Sequence, residues 1–186
     1  QQISSSPADN IHVETRGTLT EVKLVTLAFL KGFLGTAHGS SINFVNALAV
    51  AQQHGIEVEE SYRHGKEDYA NLISTTVSAD GISNTIRGSL FSDKHPRIVY
   101  YDGFHFDLNP NGTLLIVENE DVPGVVGKMG TFLGKLNANI AGYQLSRKGE
   151  EHYAMGFIRL DSAISDDDLN KITDIKEIIS VQQIVL

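Results

Sequence analysis

The feature that most limits the fold is a change of hydrophobic period at Ile56. From Ile56 to Leu108, apolar and polar residues alternate with a period of two, which is typical of strands with one buried face. Clusters of turn residues interrupt this alternation. One of them is Asp102-Gly103, and an Asp-Gly pair between two alternating segments favours a tight hairpin. This part of the chain is therefore predicted to be an antiparallel meander.

Two helices are predicted before the meander. The first follows a short alternating strand over residues 10–16. Thr18 and Glu21 form a capping-box pattern, and apolar residues spaced by three and four follow them, so we expect a mostly buried helix that ends near residues 32–35. The second helix is expected over residues 42–54.

Four consecutive turn residues, Asn-Pro-Asn-Gly at 109–112, mark a domain boundary. After them the pattern predicts strand, helix, two strands, a helix capped by Ser165 and a last strand, the βαββαβ order of a ferredoxin-like unit. We therefore expect an α+β chain in three parts. They are a linker over residues 1–9, a helix pair on an antiparallel meander over residues 10–111, and the βαββαβ domain over residues 112–186.

The composition argues against several partners. The chain has 15 Lys and Arg against 23 Asp and Glu, a net charge of −8, and no basic cluster, so we expect no nucleic-acid partner. It has no cysteine, which excludes thiolate metal ligands and fits a reducing cytoplasm. Its longest apolar run, residues 24–30, is far shorter than the roughly 20 residues that span a bilayer, so we expect no membrane partner.

Catalytic and cofactor motifs are missing as well. None of the 7 histidines pairs with another at the spacing of helical metal ligands, and no G-x-G-x-x-G follows a predicted strand. We therefore expect no metal, no bound nicotinamide cofactor and no catalytic residue in this chain.

The helix predicted over residues 124–137 is unusual in its glycines. Its apolar residues have the spacing of an ordinary core helix, yet Gly127, Gly130 and Gly134 lie in its interior. Each interior glycine costs about 1 kcal/mol relative to alanine. Such glycines indicate the close approach of another backbone or of a ligand.

Polar residues gather just before this helix. Asn119 and Asp121 stand two positions apart at the end of a predicted strand, so in extended chain they point the same way. Pro123 and Gly124 then lead into a helix N-terminus, where free amides favour an anion. A carboxylate for an ammonium group beside amides for a carboxylate suits a zwitterionic amino acid. The alternative is a strand-to-helix turn capped by Asp121.

A resemblance to the opening of an ACT domain is carried by residues 117–130, which contain Asp121-Val122-Pro123-Gly124, and by the later Asn137-Ala138-Asn139-Ile140. The first half of the chain resembles the intervening regulatory domain of the D-3-phosphoglycerate dehydrogenase family, which precedes an ACT domain in the long form. That second resemblance is carried by residues 17–34, 44–47, 88–90 and 104–108.

The resemblance implies a regulatory fragment of an NAD-dependent oxidoreductase of L-serine biosynthesis. The fragment would lack the catalytic and NAD-binding domains, so it would not be an enzyme by itself, and NAD is expected only for the full-length protein. Two other hypotheses stay open: the regulatory region of an iron–sulfur L-serine dehydratase, and a stand-alone amino-acid-binding module.

In that family, ACT domains pair side by side and bind L-serine as a feedback inhibitor at the dimer interface. The resemblance implies an effector site for L-serine or another amino acid, in which Asp121 meets the ligand's ammonium group. Asn139 would reach in from the partner subunit of a homo-oligomer. Asn119 stands where relatives carry His or Tyr, and Pro123 and Gly124 complete the matched motif.

An anion site is implied too. Family members with the intervening domain hold phosphate or a phosphorylated substrate on a basic cluster between that domain and the ACT domain. Arg97 and Arg159 match two of those positions, whereas Asn109 stands where some members have a further basic residue.

Overall fold

The computed structural model describes residues 7–65, 68–92, 94–149 and 152–186, so most of the linker expected over residues 1–9 lies outside the described residues. The chain divides into two compact units, Gln1–Asp102 and Gly103–Leu186. The division falls earlier than the turn cluster at 109–112.

The first unit places a pair of helices between two strands and follows them with the meander. Its strands follow the order β2-β1-β3-β4-β5. Their bounds, with those of the helices, are β1 (Asn10–Gly17), α1 (Val22–His38), α2 (Ala47–Gln53), β2 (Glu57–Arg63), β3 (Asn71–Ala79), β4 (Ile82–Phe91) and β5 (His95–Tyr101), and a 3₁₀ turn (Gly39–Ser41) lies between the helices.

The strand β2 departs from the expected meander. It pairs with β1 in parallel, from Asn10 opposite Glu57 to Arg16 opposite Arg63, whereas β3, β4 and β5 are antiparallel neighbours as predicted. The reason is the helix pair between β1 and β2, since a helical crossover restores the chain direction that a hairpin would reverse.

The capping box expected before α1 does not form. The helix begins at Val22, and its N-cap Glu21 makes no side-chain capping bond. The backbone N–H of Thr18 instead donates to the Ala70 carbonyl at 3.2 Å and fixes the turn after β1. Gly17 is needed in this turn, because its φ is 75° and an added Cβ would lie 2.1 Å from the Ala70 oxygen.

Each helix of the first unit buries only one of its own faces. α1 runs to His38, past the glycines expected to end it, and Leu24 is 62% exposed, so the expectation of a mostly buried helix is wrong. The buried cluster between the helices and β1 is formed by Ala8, Ile11, Val13, Leu30, Leu34, Ile42, Ala47, Ala51 and Ile56.

The second unit has the βαββαβ order that the sequence predicts, preceded by one extra strand. Four strands form an antiparallel sheet in the order β10-β7-β9-β8, the ferredoxin-like arrangement. The elements are β6 (Phe104–Leu108), β7 (Thr113–Glu120), α3 (Val125–Lys135), β8 (Ile140–Arg147), β9 (Tyr153–Leu160), α4 (Asp166–Ile172) and β10 (Ile178–Val185).

Both helices of this unit pack on one face of the sheet. The apolar face predicted for α3 is confirmed by Val125, Met129 and Leu133, which are buried. They pack with Leu115, Val117, Ala138, Ile158, Leu160, Ile172 and Ile178.

The strand β6 packs on the opposite face. The ring of Phe106 stacks on Phe157 with centroids 3.9 Å apart, and the Gln144 amide brackets the Asp107 backbone, donating to its carbonyl and accepting from its N–H. Gln144 and Phe157 are paired neighbours on β8 and β9, and Phe157 alternates with the helix-facing Ile158. These contacts hold β6 against the second unit.

Candidate functional site

Asn119 lies near the end of β7 and is only 2% exposed. Its side-chain Nδ2 donates to the Glu120 carbonyl at 2.7 Å. Its Oδ1 is buried and accepts no hydrogen bond. A buried acceptor left without a donor costs about 1–3 kcal/mol, so this oxygen is a candidate acceptor for a ligand that carries a donor.

Asp121 follows directly after β7 and is held at two points. Its backbone N–H donates to the His152 carbonyl at 2.8 Å. Its carboxylate Oδ2 lies 2.8 Å from Nε of Arg147, the last residue of β8, and the Arg147 side chain is 66% exposed. The carboxylate expected to meet an ammonium group therefore already has a cationic partner, Arg147.

The turn into α3 places Pro123 and Gly124 at the surface. Gly124 is the N-cap with φ 97°, a left-handed conformation that glycine adopts without strain. An open groove of about 520 Å³ runs from this turn along α3. Its lining residues are Gly124, Gly127, Lys128, Thr131, Phe132, Lys135 and Ile175.

The interior glycines of α3 have no close neighbour within the described chain. A Cβ added to Gly127, Gly130 or Gly134 would meet no atom within 4 Å beyond the helix's own backbone. The described chain therefore does not supply the close backbone contact that these glycines indicate.

Asn139 does not join the other matched residues within one chain. It is exposed just before β8, where its Nδ2 donates to Asp161 Oδ2 at 2.6 Å. Its neighbour Ile140 pairs with Leu160, at the end of the sheet where β7 begins. Asp121 lies where β7 ends, so the two side chains lie at opposite ends of the sheet.

The two arginines matched to an anion site lie in different units. Arg97 is on β5, and its Nη1 donates to the Pro96 carbonyl at 3.0 Å. Arg159 is on β9, and its Nη2 lies 3.4 Å from the Ala141 carbonyl. The anion site implied for them stays a prediction.

Two residues of β8 were not indicated by the sequence: Arg147, at the end of the strand, and Tyr143, in its middle. They stand four apart on β8 and so share a face. Tyr143 lies beside Gly156 and packs against the core of the second unit, its hydroxyl is buried without a partner, and burial raises the pKa of that hydroxyl. Either residue can be placed only when the register of β8 against β9 is known, and the sequence alone does not determine that register.

The described ranges contain neither a cluster of metal ligands nor a membrane-spanning helix. There, no group of three or more His, Asp or Glu side chains is placed to hold a metal ion. Among the same residues, no helix combines the length and apolar character of a bilayer span.

The fold and the polar strand end define a two-unit α+β protein with a candidate small-molecule site on its ferredoxin-like unit. Residues 1–101 match the family model described as the D-3-phosphoglycerate dehydrogenase intervening domain. This match covers more than half of the 186 residues. The chain belongs to the D-3-phosphoglycerate dehydrogenase intervening-domain family, which confirms the resemblance of its first half.

Individual relatives extend the similarity over the whole chain. The D-3-phosphoglycerate dehydrogenase of Bacillus subtilis is 32% identical over 187 residues, covering 100% of this chain and 36% of the relative. That of Methanocaldococcus jannaschii is 32% identical with 100% and 35% coverage, and that of Mycobacterium bovis is 34% identical with 85% and 31%. The chain thus spans about a third of the length of these curated relatives.

Part of the chain is also similar to a solved ACT-domain structure. The ACT domain from the GTP pyrophosphokinase of Chlorobium tepidum aligns with 40% of this chain and 97% of its own, at 13% identity and a TM-score of 0.33.

Proposed function

We propose that this chain is the regulatory part of a D-3-phosphoglycerate dehydrogenase and that its second unit is an ACT-type effector domain. The whole protein would be an NAD-dependent, cytoplasmic oxidoreductase of L-serine biosynthesis, and this part of it would have no catalytic residue of its own. The effector would be a small amino acid, with L-serine as the first candidate. The family match to D-3-phosphoglycerate dehydrogenase favours this hypothesis over a serine dehydratase or a stand-alone module.

The observation that carries the proposal is the polar end of β7, where Asn119 with its unpaired Oδ1 is followed two residues later by the carboxylate of Asp121. An ammonium group needs several acceptors, and these two residues supply an amide oxygen and a negative charge at one strand end. The N-terminus of α3 begins just beyond them, and its free amides suit the carboxylate of the same ligand. One small molecule with both charges can therefore engage both features.

The site would be completed by a second copy of the chain. β8 is an edge strand of its sheet, beginning beside Asn139 and ending at Arg147. Antiparallel pairing of β8 with its copy across a two-fold axis would bring the start of one strand beside the end of the other. Asn139 of the partner subunit would then approach the strand end that holds Asp121. The same pairing would remove an exposed sheet edge.

Titration calorimetry of the full 186-residue chain with L-serine tests this proposal, with sedimentation run on the same samples. We expect saturable heat with L-serine, weaker binding of D-serine because the stereocentre misplaces one of the three substituents, and a dimer in sedimentation. A strictly monomeric chain that gives no heat with L-serine, glycine or L-alanine would contradict the proposal.

A further inference from the structure

We infer that Arg147 is a specificity-determining residue of the effector site, which selects ligands that carry a carboxylate beside their ammonium group. This inference rests on the proposed function. It concerns a residue that the ACT motif does not include and that only the register of β8 places next to Asp121.

The geometry sets Arg147 in direct competition with a bound amine. Its Nε lies 2.8 Å from the Asp121 carboxylate, so an ammonium group that takes this carboxylate must separate the pair. The Arg147 side chain is 66% exposed, so the guanidinium can rotate toward a ligand without disturbing the core. Lys128, the cation near the start of α3, is already paired with Glu177 at 2.6 Å.

The charge balance then depends on what the ligand brings. A simple amine would neutralise Asp121 and leave Arg147 with water alone. An amino acid can insert between the two side chains, with its ammonium group toward Asp121 and its carboxylate toward Arg147, so that both protein charges keep a partner. The two carboxylate oxygens offer about four acceptor sites, so the same group can still accept from the amides at the start of α3. Arginine binds carboxylates through two parallel N–H bonds, which adds geometric selection to the charge.

The second acceptor makes this insertion specific for an ammonium group. Asn119 Oδ1 is buried without a donor, on the strand that leads to Asp121. Because this oxygen is buried, the Asn119 side chain would have to turn toward the site before a ligand between Asp121 and Arg147 could donate to it. The ion pair and the unpaired amide together describe a site poised for a group with both a donor head and an anionic tail.

The test compares L-serine with L-serinamide, which keeps the ammonium and hydroxyl groups but lacks the carboxylate. Calorimetry would use the full chain, the Arg147→Gln and Arg147→Lys variants, and Arg63→Gln as a matched control. Arg63 has the same 66% exposure and a comparable ion pair, with its Nε 2.7 Å from Glu14 in the first unit.

We expect the unmodified chain and Arg63→Gln to prefer L-serine over L-serinamide roughly tenfold or more, the effect of one charge-assisted hydrogen bond. In Arg147→Gln that preference should collapse, because L-serine affinity falls while L-serinamide binds as well or better. The preference of Arg147→Lys for L-serine should lie between those of the unmodified chain and Arg147→Gln. A lysine ammonium group keeps the positive charge but cannot form the two parallel N–H bonds of a guanidinium.

An unchanged preference in Arg147→Gln would overturn this inference, while the proposed function would stand as long as L-serine still bound in an Asp121-dependent way. If the unmodified chain bound neither ligand, the proposed function would fail and the inference with it. Circular dichroism of each variant establishes that it is folded before its affinities are compared.

Discussion

Asn119 and Asp121 lie two positions apart at the end of β7 but have different surroundings. Asn119 is almost fully buried and keeps one unpaired oxygen, whereas the Asp121 side chain is 23% exposed and paired with Arg147. A buried acceptor without a donor is costly in a turn that serves only the fold. Under the proposed function, the ligand would bring the missing donor.

Replacing Asp121 should separate binding from folding. Asp121→Ala removes the counter-charge of the ligand's ammonium group, so L-serine affinity should fall roughly 10- to 150-fold in calorimetry. The free energy of unfolding should change by no more than about 1 kcal/mol, because the lost ion pair with Arg147 is largely solvated. Asp167→Ala, an exposed carboxylate on α4, serves as the control. Unchanged affinity in Asp121→Ala would point to another site.

Replacing Asn119 gives a second test that separates binding from folding. Asn119→Leu removes the unpaired oxygen together with the bond to the Glu120 carbonyl, so the free energy of unfolding should stay within about 1 kcal/mol. L-serine affinity should nevertheless fall roughly tenfold, since the ammonium group loses an acceptor. Urea unfolding and calorimetry on the same variant check both halves. A variant that bound L-serine normally would show that this oxygen has no part in binding.

Part of this site could be predicted from the sequence. Residues 119–124 are contiguous, and the alternation of a strand followed by a Pro-Gly turn is enough to place them at one strand end. Arg147 and Asn139 could not be placed in this way. Their positions depend on how β8 aligns with β9, and a slip of one residue would turn Arg147 to the other face.

At the scale of elements, α3 combines a buried apolar side with glycines that contact no other part of the described chain. Gly127→Ala should raise the free energy of unfolding of the monomer by about 0.5–1 kcal/mol, because alanine is the better helix former and its methyl group finds open space. It should also weaken self-association if a second copy packs on this face. Thermal unfolding and sedimentation measure the two effects.

Gly32→Ala in α1 is the matched control, since its added Cβ also meets nothing within 4 Å. It should stabilise the chain by a similar amount and leave self-association unchanged. Equal self-association of Gly127→Ala and Gly32→Ala would show that the α3 glycines lie outside the contact between copies.

A second element-scale prediction concerns pH. The hydrogen bond from Lys128 on α3 holds the pKa of Glu177, just before β10, below its usual value of 4.5. A carboxyl group whose pKa is lower in the folded state stabilises the fold above its usual pKa, and this contribution is lost as pH falls through the lowered value. The free energy of unfolding should therefore decrease below about pH 4.5.

Lys128→Met should remove part of that decrease, whereas Lys135→Met, on the same helix, should retain it. Other carboxyl groups titrate in the same range, including Asp168, whose pKa is lowered by hydrogen bonds from Lys171 and Ser165. The difference between the two lysine variants, followed by urea unfolding from pH 7 to about pH 3, isolates the Glu177 contribution. Identical pH profiles would contradict it.

Capping residues and hydrophobic periods predicted some helices and strands correctly and others incorrectly. Ser165 caps α4 as its position indicates, with Oγ accepting the Asp168 N–H at 3.2 Å. Thr18 carries the same kind of signal, but its backbone is recruited by Ala70 and the helix begins later. The parallel pairing of β2 was missed for a related reason, since the two-residue period marks a strand without marking its direction.

At the scale of the whole molecule, the two units are each built around a core of their own. The sequence predicted the α+β class and the order of elements in the second unit. The domain boundary that the sequence indicates at the turn cluster 109–112 stays a prediction. The stacking of Phe106 in β6 on Phe157 is a tertiary contact between distant residues that local patterning does not reveal.

The packing of β6 gives a prediction for the full chain. Phe106→Ala should lower the free energy of unfolding of the second unit by about 1–3 kcal/mol, less than for a fully buried ring because Phe106 is half-buried. The control is Phe44→Ala, at a ring that is 50% exposed in the first unit. It should change the free energy of unfolding of the first unit by less than about 1 kcal/mol. Urea unfolding followed by circular dichroism compares them. Equal effects would mean that Phe106 contributes no more than a surface ring.

The stacking of Phe106 on Phe157 also determines where the second unit can be separated by truncation. A truncation that starts at Gly112, where the turn signal is strongest, would discard β6 and leave the Phe157 ring, now 2% exposed, bare on the open face of the sheet. Exposed aromatic surface on a sheet promotes aggregation. A truncated second unit that starts at Gly103 should stay in solution at concentrations where the shorter one precipitates.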